Sequence, residues 1–316
     1  APRRYSDAVP KPSTRCQNCD SKSEVVMPEL PEVETVRRGL ANLVVGKTIV
    51  DAAYDTEKSF PNPKDEVTSF LIGASIRSIG RRAKVLLVEL SSQYSLVVHL
   101  KMTGQLVYVS PSKRFGAGHP NDSLVNVLPD KSTRVTLTFS DGSQLFFNDQ
   151  RKFGWMRLMP TIAVPEIDFM KKVGPEPLED SFTAKDFAER FTRRKNTIIK
   201  AALLDQTVIA GVGNIYADEA LWGAKIHPQT RVKDVSSVEL KLLYKELRDV
   251  MNLAIEKGGS SNANYVNAEG KKGSYMDFAR VFRRENQACP RCGNIIIKLR
   301  AAGRGSHICP VCQVLR

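Results

Sequence analysis

The stretch from Met27 to Thr35 carries the residues best suited to nucleophilic chemistry. Met27 is the first methionine of the chain, so removal of a starting methionine there would leave Pro28 as an amino terminus. A terminal amine has a pKa of ~7.7–8.0, against ~10.4 for a lysine side chain, so more of it is unprotonated near neutral pH. Such an amine can attack carbon, and the adjacent Glu29 carboxylate can transfer protons. The stretch therefore predicts catalysis by a terminal amine, whereas its plainer interpretation is a helix start.

Four cysteines near the end of the chain form the pattern of a metal site. Cys289 and Cys292 make one Cys-x-x-Cys pair, and sixteen residues separate it from a second pair, Cys309 and Cys312. Two pairs at this spacing supply four thiolates for a tetrahedral zinc ion that joins two short hairpins. Because four protein ligands leave no open coordination position, we expect one structural zinc ion and no catalytic metal.

Three further stretches are candidates for binding an anion such as a phosphate. A glycine-rich turn at residues 211–213 precedes Asn214 and opens a helix, and the amides of such a turn can bind anions, although glycines there also permit close packing. Glycines on both sides of Arg304 allow a tight hairpin tip that can present this side chain. The basic run Arg81–Lys84 heads a strand and, taken alone, is an ordinary solvated turn.

Length and charge limit the kinds of protein that this chain can be. At 316 residues it can bury more than one core, so we expect two or three domains. Its net charge of +13 at pH 7 favours a polyanion such as nucleic acid. No apolar run is long enough to span a membrane, and the N-terminus lacks the apolar segment of a signal peptide. The six cysteines fit metal binding in a reducing compartment, but the pair Cys16 and Cys19 has no second pair nearby and is not expected to bind metal.

Hydrophobic periodicity predicts a β-rich first half and a helical second half. Apolar residues recur at helical spacing over Leu30–Val44 and again over Val238–Lys257. Between them, period-two patterns predict a β-sandwich that ends near Leu158, and the segment 110–132 reads as a long loop. The predicted strands are Val85–Leu90, Leu96–Leu100, Gln105–Val109, Arg134–Phe139 and Leu145–Phe147.

The start of the chain at Met27 resembles that of formamidopyrimidine-DNA glycosylases, the bacterial enzymes that repair 8-oxoguanine. The resemblance covers about residues 28–316. It implies that Pro28, as a free amine, attacks the sugar of a damaged nucleotide, that Glu29 shuttles protons and that Glu32 supports the site.

The resemblance also implies how the chain would contact DNA. Lys84 would reach the deoxyribose and phosphates of the target nucleotide, while Lys200, Asn214 and Arg304 would hold phosphates of the duplex.

A third implied feature concerns the hole that a nucleotide leaves when it turns out of the duplex. An apolar or planar side chain must fill the hole, and another group must hydrogen-bond the orphan base. By resemblance Met102 and Phe153 fill it and Arg151 bonds the base, although core packing is the plainer interpretation of Met102 and Phe153 taken alone.

The expected fold class is a multidomain α+β protein. It combines an N-terminal β-sandwich with a leading helix, a helix–two-turn–helix domain and a four-cysteine zinc ribbon. The expected parts are an upstream extension (1–27), a catalytic β-sandwich (28–158), a linker (159–180), a DNA-binding helical domain (181–284) with a lesion-capping loop (about 258–275), and a zinc hairpin (285–316).

The expected activity is that of a DNA glycosylase and abasic-site lyase on oxidised purines, through an imine at Pro28 and β,δ-elimination. The partner would be damaged double-stranded DNA and no membrane, with the enzyme monomeric and without organic cofactor. The expected location is the bacterial cytoplasm, at the nucleoid, although the Arg and Ser content of residues 1–26 leaves organellar targeting open.

Three alternatives stay open at this point. They are a lesion-binding module without chemistry, an endonuclease VIII-like enzyme for oxidised pyrimidines, and a zinc-ribbon DNA-binding protein. The first follows if the residues upstream of Met27 are retained, because they acylate the Pro28 nitrogen. Departures from the family pattern at Asn264, Arg283 and Asn286 leave the base preference open.

Overall fold

The computed structural model describes residues 28–119, 121–260 and 275–316. The described chain forms two antiparallel sheets, a group of helices and a C-terminal two-stranded hairpin, so the predicted α+β class is confirmed. The upstream extension and most of the expected lesion-capping loop lie outside the described residues. The helices are α1 (Leu30–Val44), α2 (Lys64–Phe70), α3 (Asp168–Lys172), α4 (Ala184–Thr192), α5 (Ile199–Leu204), α6 (Asn214–Gly223) and α7 (Ser237–Glu256).

The strands of the described ranges form three sheets, in all of which neighbouring strands run antiparallel. The first nine are β1 (Ile49–Tyr54), β2 (Ile76–Arg82), β3 (Val85–Leu90), β4 (Tyr94–His99), β5 (Gly104–Val109), β6 (Arg114–Gly118), β7 (Thr133–Phe139), β8 (Gln144–Asp149) and β9 (Trp155–Pro160). The last two are β10 (Ile297–Ala301) and β11 (Arg304–Ile308). The sheet orders are β1-β7-β8-β5-β6, β2-β3-β4-β9 and β10-β11.

Helix α1 has the bounds that its helical spacing predicted. Proline in its first turn suits the helix start, and the amide of Glu29 donates to the carboxylate of Glu32 at 2.8 Å. Its residues from Val33 to Val44 pack into a core shared with both large sheets. Leu30, one turn earlier, packs instead into the core of the helical part. The start of α1 therefore lies at the boundary between two cores.

The predicted β-sandwich with a leading helix is confirmed, because residues of both large sheets share one hydrophobic core with α1. The expectation of a long loop over residues 110–132 is wrong in part, because β6 lies within it and pairs with β5. The β6 sequence, Arg-Phe-Gly-Ala-Gly, contains two glycines and lacks the alternation that marks a strand. The expected linker likewise contains a 3₁₀ helix, Thr161–Glu166, and α3.

The second half of the described chain is helical. Helices α4 and α7 each begin with a capping box, in which Thr183 and Ser236 accept from the third amide of their helix. Helix α6 is buried along most of its length between α5 and α7, in a core that includes Tyr216. Among the described helices, none is both long and apolar enough to cross a membrane.

The C-terminal hairpin β10–β11 is attached to α6 through a small cluster around Trp222. This indole packs with Cys289 and Cys309, and the guanidinium of Arg291 stacks 3.8 Å from its ring centre. Arg291 also donates to the carbonyls of Trp222 and Gly223 at 2.9 and 3.2 Å, at the C-terminal end of α6. The cysteine module is thus seated on the C-terminal end of α6, the helix that follows the glycine turn.

Candidate active site and nucleic-acid interface

A cleft of about 910 Å³ is lined by the β-sandwich, the α5–α6 turn and the β10–β11 hairpin. The structure brings six of the predicted functional residues into its lining. These six are Glu29, Lys84, Met102, Arg151, Asn214 and Arg304. Pro28, Glu32 and Lys200 are buried outside the lining, and Phe153 is exposed beside Arg151.

Glu29 is held at the start of α1 by the glycine turn. The amide of Leu30 donates to the carbonyl of Gly211 at 3.1 Å, and the amide of Ile215 donates to Glu29 Oε1 at 3.2 Å. A Cβ atom at Gly213 would lie 2.2 Å from Glu29 Cδ, so any larger residue there would displace the Glu29 side chain. This close approach explains the glycine in physical terms and leaves Glu29 little room to move.

Burial sets the protonation of Glu29. It raises the pKa of this carboxyl to about 7, against the lowering effect of the Lys84 charge and with a further rise from Glu32. Oε1 accepts one backbone amide, whereas Oε2 has no hydrogen-bond partner among the described residues. A carboxyl with a pKa near neutral pH and one oxygen available can both accept and release a proton.

Lys84 faces the same cleft as a buried cation. Burial lowers the pKa of its ammonium, the charges of Glu29 and Glu32 oppose that shift, and Arg304 adds to it. The ammonium donates to the carbonyl of Val212 at 3.1 Å, which places it against the glycine turn. Lys84 and Arg304 therefore both contribute positive charge to the lining of the cleft.

The turn before Lys84 is not the solvated basic turn of its plainer interpretation. Arg81 and Arg82 donate to the two oxygens of Glu176 at 2.7 and 2.9 Å, and the amide of Ala83 donates to the same carboxylate. Ala83 itself has a φ of 52°, in the left-handed region. Glu176 thus crosses from the helical half to hold the turn that presents Lys84.

Glu32 joins three elements around the start of α1. Its Oε2 accepts from the Glu29 amide at 2.8 Å, and its Oε1 accepts from Tyr216 on α6 at 2.5 Å and from the amide of Ser260 at 2.8 Å. These bonds make the buried Glu32 carboxylate a link from the backbone of Glu29 to α6 and to Ser260.

Met102 and Arg151 lie side by side on two turns that Asp149 ties together. Arg151 Nη1 is 3.5 Å from Met102 Sδ, and its guanidinium lies 5.1 Å from the centre of the Phe153 ring. The buried Asp149 accepts from Thr103 and from the amide of Gly154. Both turns contain a lysine with positive φ, 51° at residue 101 and 55° at residue 152. Met102, Arg151 and Phe153 thus form one surface group, in which Phe153 is 46% exposed, unlike a core residue.

The three residues implied in phosphate binding meet at the β10–β11 hairpin. Arg304 is exposed at its tip. Asn214 Nδ2 donates to the carbonyl of Gly305 at 3.1 Å, and Lys200 Nζ reaches the same carbonyl at 3.3 Å. Lys200 is fully buried and paired with Asp218 at 2.6 Å. Burial lowers the pKa of Lys200, and the charge of Asp218 opposes the shift.

The four C-terminal cysteines fit a zinc ion. Their sulfur atoms all lie within 4.8 Å of one another, with 4.0 Å between Cys289 and Cys312 and 3.4 Å between Cys292 and Cys309. Four sulfurs at ~2.3 Å from zinc at tetrahedral angles are roughly 3.8 Å apart. The four thiols form no disulfide. The geometry therefore matches the predicted site, while Cys16 and Cys19 lie outside the described residues.

The sequence patterns did not predict four buried acidic residues that hold the elements around the cleft. Asp149, Glu176 and Asp218 each hold charged or backbone donors, and Glu219 accepts from the amides of residues 280–282 at 2.8–2.9 Å. Two adjacent acids within the otherwise apolar α6 were a usable signal. Glu176 lies between two prolines, and its neighbouring residues gave no signal that it is buried.

Comparisons with known protein families match each of the three parts of this arrangement. A sequence model of the formamidopyrimidine-DNA glycosylase N-terminal domain matches residues 27–156. The formamidopyrimidine-DNA glycosylase H2TH domain matches 173–265, and the zinc finger found in FPG and IleRS matches 286–314.

Whole proteins give the same result. The formamidopyrimidine-DNA glycosylase of Halalkalibacterium halodurans is 43% identical over 289 residues, which are 91% of this chain and 100% of that protein. A Lactococcus lactis FPG mutant in complex with Fapy-dG containing DNA has a TM-score of 0.79 and 36% identity, covering 91% of this chain and 100% of that one. The MutM (FPG) protein of Thermus thermophilus has a TM-score of 0.77 and 35% identity, with 92% and 100% covered. The chain therefore belongs to the formamidopyrimidine-DNA glycosylase family.

Proposed function

We propose that this chain excises oxidised purines, such as 8-oxoguanine and formamidopyrimidines, from duplex DNA and then cleaves the strand as an abasic-site lyase. The observation that carries the proposal is the buried Glu29 carboxyl, whose pKa is raised to about 7, beside Pro28 and facing Lys84 in the cleft. Family membership supports the glycosylase activity, and the Fapy-dG in the DNA of the Lactococcus relative supports a purine lesion.

The proposed reaction begins with a free Pro28 nitrogen. Its lone pair attacks C1′ of the damaged nucleotide, and the bond from C1′ to the base breaks with its electron pair leaving on the base. The proline nitrogen releases its N–H proton, and the departing base takes up a proton in exchange. Glu29 gives a proton to the sugar ring oxygen as the ring opens, and C1′ is left as an iminium of the proline nitrogen. A carboxyl that is half protonated near pH 7 suits this transfer.

The iminium then accounts for strand cleavage. It makes the C2′ proton acidic, so loss of that proton expels the 3′ phosphate by β-elimination. A second proton loss, at C4′, expels the 5′ phosphate by δ-elimination, and hydrolysis of the iminium returns the amine. We propose that Lys84 binds the phosphate and sugar oxygens of this nucleotide, because its ammonium lies in the cleft with Glu29.

The rest of the cleft is proposed to bind the duplex. Arg304 at the hairpin tip and Asn214, which bonds the next residue of the hairpin, hold phosphates. Lys200, which was expected to touch a phosphate itself, is fully buried with its ammonium bonded to protein groups, so its part in binding is to hold the hairpin through the carbonyl of Gly305. The adjacent Met102 and Arg151, with the exposed Phe153, fill the hole left by the extruded nucleotide and bond the orphan base.

The proposed division of the chain follows from these roles. Residues 28–158 carry the chemistry, 181–284 and 285–316 grip DNA, and 159–180 connect them. One zinc ion, held by Cys289, Cys292, Cys309 and Cys312, would keep the hairpin folded without entering the reaction. We propose a monomer, because the β-sandwich, the α5–α6 turn and the β10–β11 hairpin of a single chain together line the cleft.

Borohydride trapping tests the role of the amine. An acylated proline nitrogen has no nucleophilic lone pair, so protein that begins at Pro28 should be trapped on 8-oxoguanine duplex, whereas the 1–316 chain should bind the duplex and give no adduct. Trapping is followed as a covalent protein–DNA band after reduction.

Two controls make the result specific. Pro28→Gly keeps a terminal amine and should retain partial trapping. A lysine nucleophile such as Lys84 would survive blockage of the terminus. Equal trapping by the protein that begins at Pro28 and by the 1–316 chain would therefore remove Pro28 from the mechanism.

Substrate preference separates the two enzyme classes. Faster excision of oxidised pyrimidines than of 8-oxoguanine would favour the endonuclease VIII-like alternative.

A further inference from the structure

Asp218 is a buried carboxylate to which the proposed reaction assigns no role. It lies on α6 with 1% of its surface exposed, and its Oδ1 pairs with the fully buried ammonium of Lys200 at 2.6 Å. Its second oxygen accepts from the backbone amide of His307 at 2.9 Å. The imidazole of His307 lies between this carboxylate and Glu285, 3.4 Å from Asp218 Oδ2 and 3.2 Å from Glu285 Oε2.

The partners of this ion pair are consecutive residues of β11. Lys200 reaches the carbonyl of Gly305 at 3.3 Å and the hydroxyl of Ser306, and Asp218 holds the next amide, that of His307. The pair therefore fastens residues 305–307 to α5 and α6, directly after Arg304 at the exposed tip. Because β11 is short, the position of these three residues sets the position of the Arg304 backbone.

The charge of Asp218 compensates the buried charge of Lys200. Burial and the charge of Arg304 lower the pKa of the Lys200 ammonium, and the charge of Asp218 opposes that shift. Removing one partner of a buried pair leaves an uncompensated charge, which destabilises a protein far more than replacing both partners with apolar groups. Without Asp218, the buried ammonium of Lys200 would have only a carbonyl and a hydroxyl beside it.

We propose that Asp218 is a positioning residue for DNA binding: with Lys200 it locks the β10–β11 hairpin onto the two helices and so fixes Arg304 on the phosphate. This inference rests on the proposed phosphate contact of Arg304. It assigns the buried pair a function in binding that is separate from its contribution to folding.

The test measures how binding to undamaged duplex depends on salt, so it is independent of any glycosylase or lyase chemistry. Arg304→Ala should lower the slope of log affinity against log salt by about one, the value for one lost phosphate contact. Asp218→Asn should lower it by the same amount, and the two changes combined should lower it no further. The matched control is Asp249→Asn, which breaks a Lys–Asp pair of equal length, 2.6 Å, on the exposed face of α7 and should leave the slope unchanged.

A second variant separates positioning from folding. Lys200→Met combined with Asp218→Leu replaces the buried pair with apolar side chains and should restore the melting temperature. Its slope should stay about one unit low, because the hairpin remains unfastened. A wild-type slope in this folded variant, or additive effects of Asp218→Asn and Arg304→Ala, would overturn the inference. An unchanged slope in Arg304→Ala would overturn both the phosphate contact and the inference, whereas failure of borohydride trapping alone would leave this inference standing.

Discussion

Burial decides what each ionisable side chain in the cleft can do. For Glu29 and Lys84, burial moves the pKa of each group towards its neutral form, and the attraction between them opposes both shifts. Because the pKa of Glu29 is about 7, this carboxyl can carry a proton in one step and lack it in the next. The raised pKa of Glu29 therefore predicts how the reaction rate depends on pH.

We expect a bell-shaped pH profile for imine formation on abasic-site duplex. The reaction needs Glu29 protonated, with a pKa of about 7, and the Pro28 amine free, with a pKa of ~7.7–8.0, so the rate should peak at roughly pH 7.5. In Glu29→Gln the slower trapping should rise with pH and then level off, because only the amine titrates. Single-turnover trapping between pH 5.5 and 9.5 measures this, and a falling limb that persists in the Gln variant would contradict it.

Gly213 gives a steric test of the same carboxylate. In Gly213→Ala the new Cβ would lie 2.2 Å from Glu29 Cδ, so Glu29 must move and base excision should fall by about 100-fold or more. Duplex affinity should fall less than the excision rate, because Arg304 on the hairpin keeps its proposed phosphate contact. The matched control is Gly80→Ala, where the nearest atoms lie at 3.9 Å and the rate should stay at the wild-type value. Equal rates for the two variants would show that the carboxylate need not be held in place.

At the scale of elements, the α5–α6 turn and the β10–β11 hairpin position most of the polar groups. The turn supplies the carbonyl that accepts from Lys84 and the amide that binds Glu29. The hairpin supplies Arg304 and is seated on α6 through Trp222 and Arg291. Two of the four cysteines, Cys289 and Cys309, pack against Trp222 in that contact. Loss of the metal should therefore disturb the hairpin and the position of Arg304.

Removing zinc ligands should therefore weaken DNA binding. Cys292→Ser and Cys309→Ser should each lose the metal and bind duplex at least tenfold less tightly, because the Arg304 hairpin loses its fold. Metal analysis should give one zinc per chain for the unmodified protein, and Cys16→Ser should match it. A metal-free protein that binds duplex at full strength would sink this interpretation.

Local patterns predicted those elements whose signal lies in neighbouring residues. Helical spacing gave α1 from Leu30 to Val44, and the two Cys-x-x-Cys pairs predicted a cluster that the structure forms. Strand β6 was missed, because its stability comes from pairing with β5 and not from its own residues. The buried acids Glu176 and Asp218 were missed for the same kind of reason, since their partners lie 93–95 and 18–89 residues away along the chain.

At the scale of the whole molecule, contacts at Leu30 and at Glu176 join the β-sandwich to the helical part. Leu30 of α1 enters the helical core beside Gly211. Glu176 reaches from the helical side to Arg81, Arg82 and the amide of Ala83. Both contacts lie next to a residue of the cleft, so the cleft is formed by the joining of the two halves.

Glu176→Gln should loosen that junction. Arg81 and Glu176 are about 10% and 9% exposed, so breaking the pair should lower the free energy of unfolding by about 3 kcal/mol. Asp180→Asn, which breaks the pair of Arg248 with a fully exposed carboxylate, should have no measurable effect. Denaturant titration of both variants gives the comparison, and a neutral Glu176→Gln would show that the junction rests on Leu30.

The position of Leu30 in the helical core has a consequence for how the chain is made. Leu30 is synthesised about 180 residues before its partner Gly211, which at roughly 5–20 residues per second is a delay of roughly 10–40 seconds. During that interval the segment around Pro28 has no pocket to enter. Enzymes that trim a nascent chain have their access to the proline nitrogen then, before the junction closes over it. The order of synthesis thus gives the proposed release of the Pro28 amine a time window that ends when the second half of the chain folds.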